Sequence, residues 1–269
     1  MEYVAPYLPV VVLSGYVEAG KDTVAAMIQR LDTFAAYAFA DKLRETLERL
    51  NPWVFVRDLD PEVCSEIVQH RHMRLLEALD LYGNWENLKR ANPVEIRELM
   101  QNQGHLCRDI FGRECWAHAL GAQIVLDLHA QAANCWEPFQ DKVLNGILIK
   151  DRRQTYEDYS CCEVLVKALS RCFNHDTDEW EHKGPCRHIL GPIRVWVHRE
   201  SRGPVNDADS ERNYDKLRQE AHFVIQNPEW GPEGDGPLRA EVGRFIHWMY
   251  TTIMHAPLQV QLDKWAYNV

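Results

Sequence analysis

Residues 10–28, VVVLSGYVEAGKDTVAAMI, constrain this chain more than any other stretch. Val10 to Leu13 form an unbroken apolar run, the pattern of a central strand covered on both faces. Gly15-x-x-x-x-Gly20-Lys21 follows, then Asp22-Thr23. Val24, Ala25, Met27, Ile28 and Leu31 then recur at helical spacing. Strand, glycine loop and helix in this order are the setting of a phosphate-binding loop. Its glycines let backbone N–H groups turn inward and approach an anion. The N-terminus of the next helix adds partial positive charge at the same place. Lys21 is the side chain that would reach the terminal phosphates of a nucleotide. The residue after this lysine is ordinarily Ser or Thr, whose hydroxyl meets Mg²⁺. Here it is Asp22, which can hold Mg²⁺ directly or through water but brings negative charge to the phosphates.

The chain has 269 residues, enough for one large α/β domain with insertions or for two small domains. Its formal net charge of −10 argues against tight, sequence-independent binding to nucleic acid. No apolar run approaches membrane-spanning length, and the first residues lack the pattern of a signal peptide. Eight cysteines in that setting suggest reduced thiols in a cytosol rather than a disulfide frame.

In chain order, residues 33–40 read as a second strand. Asp41 is placed to cap a helix that carries Leu43, Leu47 and Leu50 on one face. Arg44 lies early in that helix, where a cation opposes the helix dipole. An anionic ligand or a solvated surface position would each account for it. Residues 51–92 look like an insertion of one or two amphipathic helices, with Val63, Ile67, Leu75, Leu76 and Leu79 inward and His70 and His72 on a polar face. Asn92, Pro93 and Glu95 make a helix start, and Gly104 is a candidate stop. Another long helix spans 114–132. Gly146 to Ile149 form a third strand, with Lys150, Asp151, Arg152 and Arg153 at its carboxyl end, where open parallel sheets bind ligands. Two arginines beside an aspartate there would clamp phosphate and orient Mg²⁺, or form a strand-end ion pair. Residues 171–188 are rich in Cys and His, but C-x₂-H…H-x₃-C over Cys172, His175, His182 and Cys186, with His188 beyond, is a loose zinc spacing, and a surface loop fits as well. Residues 193–197 and 223–225 are the fourth and fifth strands. The polar segment between them, with Arg199, Arg202 and Arg212, suits a mobile lid. A last amphipathic helix carries Leu238, Val242, Phe245, Ile246, Met249 and Ile253.

Taken in order, several of these segments resemble the deoxynucleoside monophosphate kinases of bacteriophages, a branch of the P-loop nucleoside monophosphate kinases. LSGYVEAGKDT (13–23) is similar to that family's loop, including the Asp after Lys. FADKLRETL (39–47) resembles the segment that brings a basic residue to the substrate phosphate. IRELMQNQGHLCRDIFGRECW (96–116) is similar to the R-x-L-[LM]-Q-x-x-G block with a later Arg and Trp. ILIKDRRQTYE (147–157) resembles the D-x-R…E motif, matching Asp151, Arg153 and Glu157. VWVHRESR, DSE (209–211) and FVIQN (223–227) look like its lid and last strand. The resemblance implies a three-layer α/β P-loop kinase fold over residues 1–269, with a mostly parallel five-stranded sheet, a helical substrate-binding insertion at 41–135 and a lid at 199–215. It implies ATP and Mg²⁺ as cofactors and nucleotides as substrates, in the cytoplasm, of an infected host cell if phage-encoded. A homodimer is compatible with it. Gly15, Glu18, Ala19, Gly20, Lys21, Asp22, Thr23 and Arg202 would hold the donor. Asp22, Thr23 and Asp151 would hold the metal. Arg44, Arg97, Gln101, Gly104, Arg108, Trp116 and Arg153 would hold the acceptor. Lys21, Asp151, Arg153 and Arg199 would act on the transferred phosphoryl group. Three other readings stay open: a kinase of a different acceptor, such as a coenzyme precursor or a modified base in phage DNA; a nucleotide-binding module without catalysis; and a zinc-stabilised interaction protein built on residues 161–188.

Overall fold

The structure is a computed structural model that describes residues 7–32, 34–57, 70–134, 146–170, 188–203, 213–228 and 234–254. β1 (Tyr7–Ser14) sits in the middle of the main sheet, and Leu8 and Val10 to Leu13 are fully buried. β2 (Phe34–Ala38), β5 (Gly146–Lys150), β6 (His188–His198) and β7 (Phe223–Gln226) complete that sheet in the order β2-β5-β1-β6-β7, with every pairing parallel. A two-stranded antiparallel ribbon, β3 (Trp53–Arg57) with β4 (His70–Arg74), forms a separate sheet.

Side chains alternate across the main sheet, and each face meets its own helices. Val11, Leu13, Leu148, Val195 and Val197 pack with α1 (Lys21–Leu31) and α9 (Gly236–Trp248), which continues in a π-helical stretch, Met249–Met254. Leu8, Val10, Val12, Ile147 and Ile149 pack with α6 (Cys115–Asn134) and α7 (Glu157–Ser170). The result is a three-layer α/β arrangement. α8 (Tyr214–Gln219) adds Tyr214 and Leu217 to a small cluster around Trp196.

The topology sets where a ligand fits. From β1 the chain crosses to β2 at the sheet edge, beyond β5. From β5 it crosses the other way, past β1 to β6. The loops after the neighbouring strands β1 and β5 therefore diverge, and a crevice at such a switch point is the ligand site of open α/β sheets. Those two loops carry Gly15–Gly20 and Asp151–Arg153.

The chain divides into two compact units: residues 1–39 with 117–269, and residues 40–116. The second is built from most of α2 (Phe39–Leu50), the β3–β4 ribbon, α3 (Leu75–Tyr82), α4 (Trp85–Ala91) and α5 (Pro93–Phe111). Its core holds Leu47, Val54, Val56, Met73, Leu75, Leu88 and Ile96.

Four local expectations change in the structure. His70 and His72 belong to a strand, not a helix. Only Met73 is apolar in HRHMR, so its period cannot be read locally. Pairing with WVFVR decides it, setting Val54 opposite Met73 and Phe55 opposite His72. α5 passes through Gly104 and ends at Gly112, whose φ of 91° suits glycine at a helix end. Asp41 lies inside the first turn of α2, because the helix starts at Phe39 straight after β2. A carboxylate there favours the helix dipole rather than capping it. Asn92 turns its amide to Leu88 O at 3.2 Å and serves the end of α4, with no side-chain cap on α5. Val63, Ile67, the Cys/His-rich residues 171–187 with their zinc ligand set, and lid residues 204–212 lie outside the described residues.

Candidate functional site

In the first unit, the site is the loop between β1 and α1. Gly15 has a φ of 155°, and a Cβ there would lie 2.5 Å from Val197 O. Gly20 has a φ of 91°, and a Cβ there would lie 2.2 Å from Asn227 Nδ2. Both positions are thus closed to larger residues by conformation and by space. Between them, Ala19 N–H donates to Tyr16 O at 3.1 Å, and Glu18 takes a φ of 60°. Tyr16 is wedged edge-on against Trp196 and Tyr214, with centroids 5.4 and 5.1 Å away. That trio anchors the loop from beneath. Val24 N–H closes the first helical bond of α1 onto Gly20 O, and Gly20 offers no side-chain cap. The N–H groups of residues 21–23 at that helix end are the donors an anion would meet.

Lys21 folds back over the loop. Its ammonium donates to Gly15 O at 3.1 Å and Tyr16 O at 3.0 Å and stands 3.6 Å from Asp151 Oδ1. Burial pulls its pKa below the ordinary value of 10.5; Asp151 and Asp22 oppose that pull and Arg153 reinforces it. Asp151 sits at the end of β5 with φ 62°, a left-handed conformation that Asp tolerates better than most residues. Asp22 is exposed and pairs with Lys150 at 2.6 Å. Thr23 is partly buried in the same helical turn.

The arginines of this region divide. Arg152 is buried: it lies 3.2 Å from Asp158 and donates to Glu220 at 2.7 Å and to Thr155 O at 2.9 Å. It belongs to the structural ion-pair reading, not to a phosphate clamp. Arg153 is exposed, and its backbone N–H is held by Glu157 Oε2 at 2.8 Å. Arg202 Nη1 reaches Glu18 Oε2 at 2.9 Å, and its N–H donates to Arg199 O at 3.0 Å, so the segment after β6 touches the loop.

In the second unit, Arg97, Gln101, Gly104 and Arg108 follow one another at helical spacing along α5 and share one face. Gly104 is buried, with Leu43 of α2 beside it. Its carbonyl accepts from Trp116 Nε1 at 3.3 Å. Arg44 pairs with Glu86 at 2.8 Å and lies 5.9 Å from the Trp85 ring centre. The structure thus gathers Gly104 and Trp116 with the α5 stripe, and Gly15, Lys21, Asp22 and Asp151 at the loop.

Asn227, just past β7, carries a role that sequence reading did not assign. It is buried, its Nδ2 donates to Ala19 O at 2.7 Å, and its N–H donates to His198 O at 2.7 Å. Its partner lies 208 residues away in sequence, so no local pattern reveals it. Lys150 was visible as a strand-end residue, but its pairing with Asp22 was not.

The donor set suits Mg²⁺ as nucleotide enzymes hold it, with one or two carboxylates beside substrate phosphates and water. Asp151, Asp22 and Thr23 supply that chemistry. Among the described residues no cluster of three or more His, Cys, Asp or Glu side chains forms a dedicated metal cage. No helix among them is long and apolar enough to cross a membrane.

No protein-family model matches the chain. No curated protein matches it either. Among solved structures, the crystal structure of TT1252 from Thermus thermophilus aligns over 91% of this chain and 99% of its own, at 12% identity and a TM-score of 0.33. A likeness that slight carries no assignment.

Proposed function

We propose that this chain is a P-loop kinase that transfers a phosphoryl group from ATP to a deoxynucleoside 5′-monophosphate. The observation that carries the reading is the loop itself. Gly15 and Gly20 are sterically obligatory, the N-terminus of α1 is uncapped, and a partly buried lysine and a strand-end aspartate meet at the sheet's switch point. The ordered resemblance from residue 13 to residue 227 supports the kinase class and the acceptor.

Little covalent chemistry is asked of such a protein; positioning and charge neutralisation do most of it. Backbone N–H groups of residues 15–23 and Lys21 would hold the β- and γ-phosphates of the donor, Lys21 exchanging two carbonyl acceptors for phosphate oxygens. Bound Mg²⁺, held by Asp151 with Asp22 or Thr23, would screen the charge of the transferring group. Arg44, Arg97, Gln101, Gly104, Arg108, Trp116 and Arg153 are assigned to the acceptor by resemblance. Arg199 and Arg202 are assigned to the transferring phosphoryl group, with lid closure excluding water.

The test is ADP release from Mg-ATP in a coupled assay, offering dTMP, dGMP, dCMP, dAMP and modified pyrimidine monophosphates in turn. Acceptor-dependent turnover is expected with at least one. Lys21→Ala should lower kcat/KM by about 100-fold or more while circular dichroism stays unchanged. Full turnover in that variant would sink the assignment. ATP binding with silence across the panel would leave a kinase of another acceptor or a module without catalysis.

A further inference from the structure

The chain carries the dipeptide Lys-Asp twice at this site. Lys21-Asp22 opens α1, and Lys150-Asp151 closes β5. The two are cross-paired: Lys150 Nζ lies 2.6 Å from Asp22 Oδ1, and Lys21 Nζ lies 3.6 Å from Asp151 Oδ1. The two pairs differ in kind. Lys21 is 13% exposed and also held by two carbonyls. The Lys150–Asp22 pair joins a lysine that is 27% exposed to a carboxylate that is 82% exposed. A pair with so wet a partner adds little stability and exchanges readily. The Lys150 side chain is nonetheless more covered than exposed, which limits how far its ammonium strays from the loop.

A carboxylate after the loop lysine sets negative charge where phosphates must come. Lys150 cancels that charge. A carboxylate that turned to a metal ion or its water would release its lysine, and the released ammonium would then be available to phosphate oxygens. We propose that Lys150 is a second phosphate-binding cation of this loop, held on Asp22 before a nucleoside triphosphate binds and transferred to it on binding. The inference rests on the nucleotide reading above.

It is tested by calorimetric titration of ATP and ADP into the full-length chain, with EDTA and with Mg²⁺, and needs no turnover. Lys150→Met is expected to weaken metal-free ATP binding about tenfold, the scale of one charge-assisted hydrogen bond, and ADP less. Asp22→Asn, which frees Lys150 without metal, should tighten metal-free ATP binding. The double variant separates the two roles of Lys150. If Lys150 binds phosphate, Asp22→Asn/Lys150→Met binds ATP more weakly than Asp22→Asn alone. If Lys150 only neutralises Asp22, those two proteins bind alike, and the inference is overturned while the nucleotide reading stands. Lys150→Gln, with unchanged circular dichroism, guards against a folding defect in the Met variant. Absence of ATP binding in the unsubstituted chain overturns both readings.

Discussion

Asn227 shows how one side chain can determine the shape of the loop between β1 and α1. Its amide holds Ala19 O and fills the space that a Cβ on Gly20 would need. Asn227→Ala removes that donor from a buried carbonyl, a loss on the scale of about 1–3 kcal/mol. The expected outcome is ATP affinity lowered by about tenfold or more with the sheet intact, read by calorimetry beside circular dichroism. Gly15→Ala should be worse than Gly20→Ala, since the methyl meets the backbone oxygen Val197 O rather than the Asn227 side chain, which can move. Lys21 makes a prediction in pH. Burial lowers its folded pKa, so the folded chain binds fewer protons at this site than the unfolded chain. Its share of stability therefore rises with pH from that lowered value up to the ordinary 10.5. Phosphate needs the charged form, so ATP affinity should run the opposite way, falling as pH climbs through the lowered value. Titration of ATP at a series of alkaline pH values checks the direction. Lys21→Arg, charged throughout, should flatten the profile.

At the scale of elements, the sheet's carboxyl edge is tied together by a buried ionic network. Asp158 in the first turn of α7 is fully buried, accepts from Arg194 Nε at 2.7 Å, and lies 3.2 Å from Arg152 Nε. Arg152 extends the network to Glu220 beyond α8. The carboxylate therefore serves the loop after β5, α7 and β6 at once. Removing it takes the carboxylate from Arg194 and one of two carboxylates from Arg152, and breaking a buried pair in this way costs about 3–5 kcal/mol. Asp158→Ala should lower the unfolding free energy by that amount, read from the urea midpoint with little change in slope. A surface pair such as Lys167–Glu163 should change it by less than about 1 kcal/mol when broken. Glu157, one residue earlier, acts locally. Its carboxylate accepts from the N–H groups of Arg153 and Gln154 and holds the strand-end loop at the start of α7.

For the whole molecule, burial explains the thiols as well as the fold. Cys161 and Cys162 face the sheet from α7. Burial pushes the first up to about 12 and the second well above its ordinary 9.0, so neither forms thiolate near neutrality. Iodoacetamide followed by peptide mass spectrometry should leave both unmodified in the folded protein and label both in urea. The unbroken run Val10–Leu13, the loop after it and the helical period of 24–31 were legible in the sequence because each is a local pattern with one physical solution. So were all five strands of the main sheet, whose apolar runs must be covered on both faces. The ribbon of Trp53–Arg57 with His70–Arg74 was not, because HRHMR carries no period and takes its form from the partner strand. Gly104 read as a helix end because glycine's local preference says so, and packing beside Leu43 with an acceptor for Trp116 overrides it. Strand order, the lock of Asn227 on the loop and the crossing of the two Lys-Asp pairs belong to the tertiary structure alone. The Asn227 lock and the crossed pairs join residues more than a hundred positions apart, and such contacts are chosen by the whole packed sheet rather than by their neighbours in the chain.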